Sequence, residues 1–242
     1  MSPSVRYTAT SHPGAVRNDN QDAMLCRPEL GLYVIADGAG GHQGGREAAA
    51  RVVAGIASIS LDLKPAERLA NLRRQLEAVH ESLVQDGKAR QQSRELAQGM
   101  ASTVVVLLLD AEFFACLWTG DSRIYLLRDG ELIQLTHDHS VVQELVDAGM
   151  IEAWQAEGHR QANVITHAIG AGDGSLRLDK RVGQVMPYDR FLLCSDGLTK
   201  TLDDASIRAV LEQGGDAAAS LVDAALRLKA RDNVTAIVVS TD

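Results

Sequence analysis

Ser102 to Leu132 reads STVVVLLLDAEFFACLWTGDSRIYLLRDGEL. Three aliphatic and β-branched runs, 102–109, 112–119 and 122–128, are divided by short polar breaks, the pattern of consecutive strands. The third run passes through Asp129-Gly130 into Glu131-Leu132, which has the dipeptide and spacing of a tight hairpin. Strands that follow one another through hairpins are antiparallel neighbours, so this stretch decides against alternating strand–helix–strand units.

Working outward, the sequence keeps its strands and helices in separate runs. The chain opens with alternation at Val5, Tyr7 and Ala9, turns at His12-Pro13-Gly14, and resumes as a strand over 31–36. From Arg46 to about Leu61, Ala48, Val52, Val53, Ile56 and Ile59 return at helical steps. Pro65 suits the first turn of a second helix, whose buried stripe is Leu69, Leu72, Leu76, Val79 and Leu83 and which runs to about Leu96. Beyond the three strands, 136–167 is polar, with one short helical stretch near 141–148, and reads as an inserted surface segment. Strands at 176–182 and 191–195, helices at 203–212 and 216–229, and a strand at 234–240 complete the chain. The expectation is an α+β fold in which antiparallel sheets are covered by helices, with residues 1–242 as a single domain.

Composition narrows the function. Of 242 residues, 45% are hydrophobic and 23% charged, as in ordinary globular proteins, so the chain can bury a sizeable core. A net charge of −8 weighs against nucleic acid and anionic membranes as main partners. The longest apolar run, Val104 to Leu109, is far too short to span a bilayer, and the first residues lack a signal peptide's apolar stretch. Cys26, Cys116 and Cys194 are an odd, widely spaced set, which suits reduced thiols in a cytoplasmic protein. No oligomerisation stripe stands out, and a monomer is expected.

One feature of the opening stretch recurs. Apolar strands end in aspartate at LYVIAD-G (Asp37-Gly38), ACLWTGD-S (Asp121) and RFLLCSD-G (Asp196). Asp22 precedes an apolar run, and Asp232 stands just before the last strand. A turn explains Asp129-Gly130, because alternating segments flank it. It does not explain Asp37 or Asp196, which lead toward helices. A carboxylate closing an apolar strand carries a desolvation cost, and several such groups converging would repel one another. A shared divalent cation resolves both problems; carboxylate oxygens, carbonyls and water suit Mg²⁺ or Mn²⁺. The glycines of GAGGHQGG let main-chain oxygen approach such an ion. They do not fit a phosphate-cradling loop, since neither G-x-G-x-x-G nor G-K-[ST] is present. Arg17, five residues before Asp22, can grip phosphate oxygens through its planar fork, with a surface salt bridge as the alternative.

Other candidates are weaker. Ser195 lacks a G-x-S-x-G elbow, and Cys194 lies in an apolar strand and reads as core. His137-Asp138-His139 falls in the polar segment and reads as a solvated loop. His42, the only histidine of the glycine motif, is a candidate general acid or an orienter of that loop.

Taken together, GAVRNDNQDA, VIADGAGGHQGG, GMASTVVVLLL, TGDSRIYLLRDGELIQLTHDHS, ITHAIGAG, FLLCSDGL and ARDNVTAIVV resemble, in order and spacing, the metal-dependent protein phosphatases of type 2C, in their bacterial stand-alone form. The resemblance covers nearly the whole chain. It implies two antiparallel sheets packed as a sandwich between helix pairs, and hydrolysis of phosphoserine and phosphothreonine in proteins, opposing a serine/threonine kinase. It implies two Mn²⁺ or Mg²⁺ ions held by Asp37, Asp196, Asp232 and the Gly38 carbonyl, with Asp22 acting through water and Asp121 at a third, looser site. Arg17 matches the phosphate-binding arginine, and about 138–163 matches the flap beside the active site. Two positions depart from the pattern. Ala39 stands where animal members carry a histidine proposed as the acid, which leaves His42 or metal-bound water for that role. Ala101-Ser102-Thr103 stands where the pattern reads G-[ST]-T; the glycine is lost and the hydroxyls are kept, and a packing effect alone is expected from the loss. A regulatory platform without catalysis and a small-molecule phosphoesterase are the rival readings; the intact acidic set disfavours the first.

Overall fold

The computed structural model describes residues 5–39, 42–60, 62–93, 99–156, 158–172 and 174–242. Period-two alternation builds its centre. In β3 (Leu32–Ala36), Leu32, Val34 and Ala36 face one way and Tyr33 and Ile35 the other, and all five are buried. A strand buried on both faces lies inside a layered structure.

β3 belongs to a five-stranded antiparallel sheet with β2 (Ala23–Arg27), β6 (Val104–Leu109), β7 (Phe113–Thr119) and β10 (Asp179–Gln184), in the order β10-β7-β6-β3-β2. A second antiparallel sheet has the order β1-β12-β11-β8-β9, from β1 (Val5–His12), β8 (Arg123–Arg128), β9 (Glu131–Gln134), β11 (Arg190–Cys194) and β12 (Val234–Thr241). The hairpin expected at Asp129-Gly130 is present, with φ of 52° and 78° at the two turn residues and Arg128 opposite Glu131.

Three apolar layers follow from the two faces of each sheet. Tyr33, Ile35, Val105 and Leu107 meet Ile124, Leu126, Phe191 and Ile237 between the sheets. Val34, Val104 and Val106 pack outward on α1 (His42–Ala57) and α2 (Pro65–Gln92), through Ala48, Val52, Ile56, Leu72 and Leu76. On the far side, Leu192, Cys194 and Ala236 pack on α6 (Asp204–Gln213) and α7 (Ala217–Arg227), through Ile207, Leu211, Leu221 and Val222. This is the expected helix–sheet–sheet–helix sandwich. Asp203 and Asp216 cap the latter two helices, accepting from Ser206 N at 2.9 Å and Ala219 N at 3.1 Å. No helix among the described residues is long and apolar enough to cross a membrane.

Two boundaries differ from the sequence reading. The first helix begins at His42 rather than Arg46, because Gly44 and Gly45, poor helix formers, are buried in its first turn. The second ends at Gln92, while the expected end at Leu96 lies outside the described residues.

The segment after β9 is a correction. His137-Asp138-His139 is not a solvated loop: Asp138 and His139 are buried, and only His137 is exposed, paired with Asp147. Arg123 grips Asp138 through Nε and Nη2 at 2.7–3.0 Å, and its Nη1 donates to Tyr125 OH at 2.9 Å. His139 N donates to Gly120 O at 2.9 Å, and its Nε2 lies 3.2 Å from Asp179. Burial holds the His139 imidazole below its usual pKa, against the pull of Asp179. A bridge between Ser140 and Ile165 closes the segment, so the expected flap is clamped where it leaves and rejoins the sandwich. Its body carries α3 (Val141–Asp147) and the single turn α4 (Ala153–Ala156).

Candidate active site

Asp37 leaves β3 where β6 begins, and the strand pairing brings Thr103 beside it. The Asp37 N–H donates to Thr103 Oγ1 at 3.2 Å, while its carbonyl accepts from Thr103 N at 2.8 Å and Ser102 Oγ at 2.9 Å. Thr103 Oγ1 lies 2.7 Å from Ser122 Oγ, next to Asp121. The hydroxyls kept at Ser102 and Thr103 thus fix the backbone of one acidic residue and reach the neighbour of another. Gly120, at φ 101°, is required here, since a side chain would stand 2.6 Å from the Thr103 side chain.

Asp22 sits before β2 and under the same site. Its Oδ2 accepts from Thr235 Oγ1 at 2.6 Å and Ser195 Oγ at 2.8 Å. No described residue donates a hydrogen bond to its buried Oδ1. Asp196 ends no strand; Cys194 does, and Asp196 opens a short helix, α5 (Asp196–Thr199), one turn before Lys200. The Lys200 ammonium is paired with Asp196 Oδ2. Asp232 Oδ2 accepts from Arg17 Nη2 at 2.9 Å. Asn233 secures this corner: its Oδ1 accepts from Gln21 N at 2.8 Å, and its Nδ2 donates to Pro13 O and Asp19 O at 3.0 and 2.9 Å. One side chain thus ties the Arg17 loop to the start of β12.

Asp37, Gly38, Asp121, Asp196, Asp232 and Arg17 all line one cavity of about 380 Å³, with Asp22 beneath. His42 falls differently: it opens α1, and its side chain lies outside the described residues. Ala39 lines the cavity and offers no acid. Lys200, Thr235 and Asn233 escaped the sequence reading, and Ser195, weighed there only as a nucleophile, instead anchors Asp22. The four-residue step from Asp196 to Lys200, before helix-like sequence, is the one signal that could have flagged a member of that group.

Electrostatics show what the cavity wants. Burial raises the Asp22 carboxyl to about 6, against the donors Thr235 and Ser195. Burial and then Asp196 raise Asp121 to about 7. Asp37 is held well above the ordinary carboxylate range, by burial and then by Asp22 and Asp196. For Lys200, burial disfavours the cation, but attraction to Asp196 and Asp121 outweighs it and its pKa rises. Carboxyls that resist ionisation together, plus a buried oxygen without a donor, fit a site completed by positive charge. The donors are all oxygen, which suits Mg²⁺ or Mn²⁺. No group of three or more His, Cys, Asp or Glu side chains among the described residues is gathered closely enough to hold an ion unaided. An open oxygen set of this kind suits cations that keep several waters.

The backbone is drawn tight around the acidic loop. A methyl group on Gly38 would lie 2.3 Å from Gly45 O and 2.9 Å from Gln21 O, both main chain. Gly38→Ala is therefore expected to destabilise the fold by about 1–3 kcal/mol, as overpacking does. For a chain of this size that is a fall in Tm of roughly 2–12 °C. Gly158→Ala, where nothing lies within 4 Å, is the control in the same melting experiment. Equal melting curves for the two variants would refute the close approach.

Similarity to known proteins extends over nearly the whole chain. The protein phosphatase 2C family profile matches residues 11–229. The serine/threonine protein phosphatase PstP of Mycobacterium tuberculosis is 35% identical over 236 residues, which cover 97% of this chain but 44% of that protein, so the chain spans less than half of that relative. Among solved structures, PppA, described as a key regulatory component of the type VI secretion system in Pseudomonas aeruginosa, superposes with a TM-score of 0.88 at 39% identity, covering 98% of each chain. The catalytic domain of PstP in complex with two manganese ions superposes at 0.81 and 33% identity, again over 98% of each. With the sandwich, the acidic cavity and a profile match over most of its length, the chain belongs to the protein phosphatase 2C family.

Proposed function

We propose that this chain is a metal-dependent serine/threonine phosphoprotein phosphatase that hydrolyses phosphoserine and phosphothreonine in proteins and opposes a serine/threonine kinase. The observation that carries the reading is the meeting of Asp22, Asp37, Asp121, Asp196 and Asp232, from five separate segments, at one cavity walled by Arg17.

Asp37, Asp196 and Asp232, with the Gly38 carbonyl, are the residues to hold two Mn²⁺ or Mg²⁺ ions, and Asp121 a third. When bound, such ions acidify water and neutralise phosphate charge. The chain's own residues do the rest. The Arg17 guanidinium, already on the cavity wall, has a planar fork that matches two phosphoryl oxygens and restrains the ester while charge redistributes. The Asp232 contact aims that fork at the site. Asp22, anchored by Thr235 and Ser195, presents Oδ1 as an acceptor that holds and orients a water proton. The Asp37 backbone is pinned by Ser102 and Thr103, so its carboxylate enters the reaction already placed.

The manganese of the PstP catalytic domain supports the metal assignment, and the likeness to PppA supports a regulatory role in secretion. Free cysteines at Cys26, Cys116 and Cys194 support a cytoplasmic setting. The test is phosphate release from phosphothreonine and phosphotyrosine peptides. Release selective for phosphothreonine, abolished by chelator and restored by Mn²⁺, is the expected result. Chelator-resistant turnover by pure protein would sink the reading.

A further inference from the structure

Beside the acidic cavity lies a larger one of about 720 Å³. The two share Arg17, Lys200 and Asp232 as walls, so a chain leaving the first enters the second. Its outer wall is the turn after α7, where Lys229 and Arg231 are exposed and neither makes an ion pair with any described residue. The only carboxylate among the described residues of this wall, Asp232, is taken by Arg17. In a protein of net charge −8, two unpaired cations beside the reaction site are a local inversion of charge.

The backbone of this turn adds a second observation. Lys229 N donates to Leu226 O at 2.9 Å and Ala230 N to Ala225 O at 3.0 Å, the paired bonds of a helix end whose next residue is left-handed. Lys229 occupies that left-handed position at φ 61°, where glycine is the unstrained residue. The helix dipole explains a cation in the last turn, and Arg227 already stands there. It explains neither Arg231 nor the retention of a side chain at 229. Ala230 O accepts from Ala15 N at 2.8 Å, so the turn is fastened to the loop that carries Arg17. Leu228 and Val16, 64% and 59% exposed, give the cavity apolar shoulders.

We propose that this second cavity is the subsite for the substrate polypeptide beside its phosphorylated residue, and that Lys229 and Arg231 select carboxylate side chains there. The proposal rests on the phosphatase reading and names its substrate class: phosphoproteins with acidic residues on one flank of the phosphosite. Lys229 is three residues from Asp232, at most about 11 Å along the chain. An extended peptide advances about 3.3 Å per residue, so the selected carboxylates lie roughly two to four residues from the phosphoresidue.

Three phosphothreonine peptides test it: glutamates two to four residues before the phosphothreonine, the same glutamates after it, and alanine on both sides. Wild type is expected to favour one acidic peptide over the alanine peptide by roughly three- to tenfold in kcat/KM, the scale of two exposed ion pairs. The preference shrinks as salt rises. Lys229→Gly keeps the turn, because glycine suits its backbone, and a melting curve at or above wild type checks this. Lys229→Gly and Arg231→Gln are each expected to reduce the preference and together to bring the ratio to about one. Equal use of all three peptides by wild type, or a preference that survives in the double variant, would overturn the proposal while leaving the phosphatase reading intact. No metal-dependent release from the alanine peptide would count against that reading instead. The subsite is then read by fluorescence anisotropy of a labelled, unphosphorylated glutamate peptide: weaker binding by the double variant supports it, and equal binding refutes it.

Discussion

Asp196→Asn is expected to lower Mn²⁺-dependent phosphate release more than about a hundredfold, the scale seen when one preorganised polar group is removed from a reacting centre. Asparagine has nearly the shape of aspartate, and the N-cap, Ser195, is untouched, so α5 keeps its start. What is lost is one negative charge. Asp196 raises the carboxyls of Asp22, Asp37 and Asp121, so its removal relieves repulsion in the metal-free protein. Lys200 loses its partner but retains Asp121 and Asp37 as attractors. The variant is therefore expected to melt within a few degrees of wild type while turnover collapses. Activity above about a tenth of wild type would remove Asp196 from the centre. A collapsed melting curve would assign it a structural role instead.

The second large effect is a linkage of stability to pH that metal reverses. Asp22 titrates near 6 and Asp121 near 7 in the folded chain, against an ordinary aspartate value of 3.8. Between about pH 4 and 7 the native state holds protons that the unfolded state has released. The metal-free protein therefore loses stability as pH rises through that window, and the full penalty persists above it. Ions that bind the carboxylates remove the penalty and compete with protons for the same oxygens. At a hundred times its dissociation constant a ligand adds about 2.7 kcal/mol. For a chain of this length that is roughly 5–11 °C in Tm. Melting curves at pH 5, 6 and 7.5, each with chelator and with Mn²⁺, are expected to show a falling metal-free Tm and a widening metal-dependent gap. A metal-free Tm that rises across this range, with a gap no wider at pH 7.5 than at pH 5, would contradict the shifts.

Much of the architecture was legible in local pattern. Tyr33-Val34-Ile35 is apolar on both faces, and only a strand between two layers has use for that. Asp129-Gly130 announced its hairpin because the turn's backbone demands those residue types. Sheet order was not legible, because the pairing of β1 with β12 joins the two ends of the chain and no short window contains both. The acidic residues stood out for a physical reason: an ion at the end of an apolar strand is locally unfavourable, so the conflict marks the site. Their supports did not stand out. Asn233, Thr235 and Ser195 are ordinary polar residues until the fold brings the partner segments to them. Asp138 was misread for the same reason, since a carboxylate in a polar run looks solvated until Arg123 is seen beside it.

The clamped flap has an evolutionary consequence. Its two stems are held by Arg123–Asp138 and by the Ser140–Ile165 bridge, while Met150, in the turn between the two helices, and Trp154, on the second, stand largely in solvent. Among the described residues of this segment, Asn163 and Ile165, at its trailing stem, line the acidic cavity. Drift in the intervening residues is thus free of the constraint that hydrolysis places on the rest of the chain. The residues between the stems can change without disturbing the carboxylates that line the cavity.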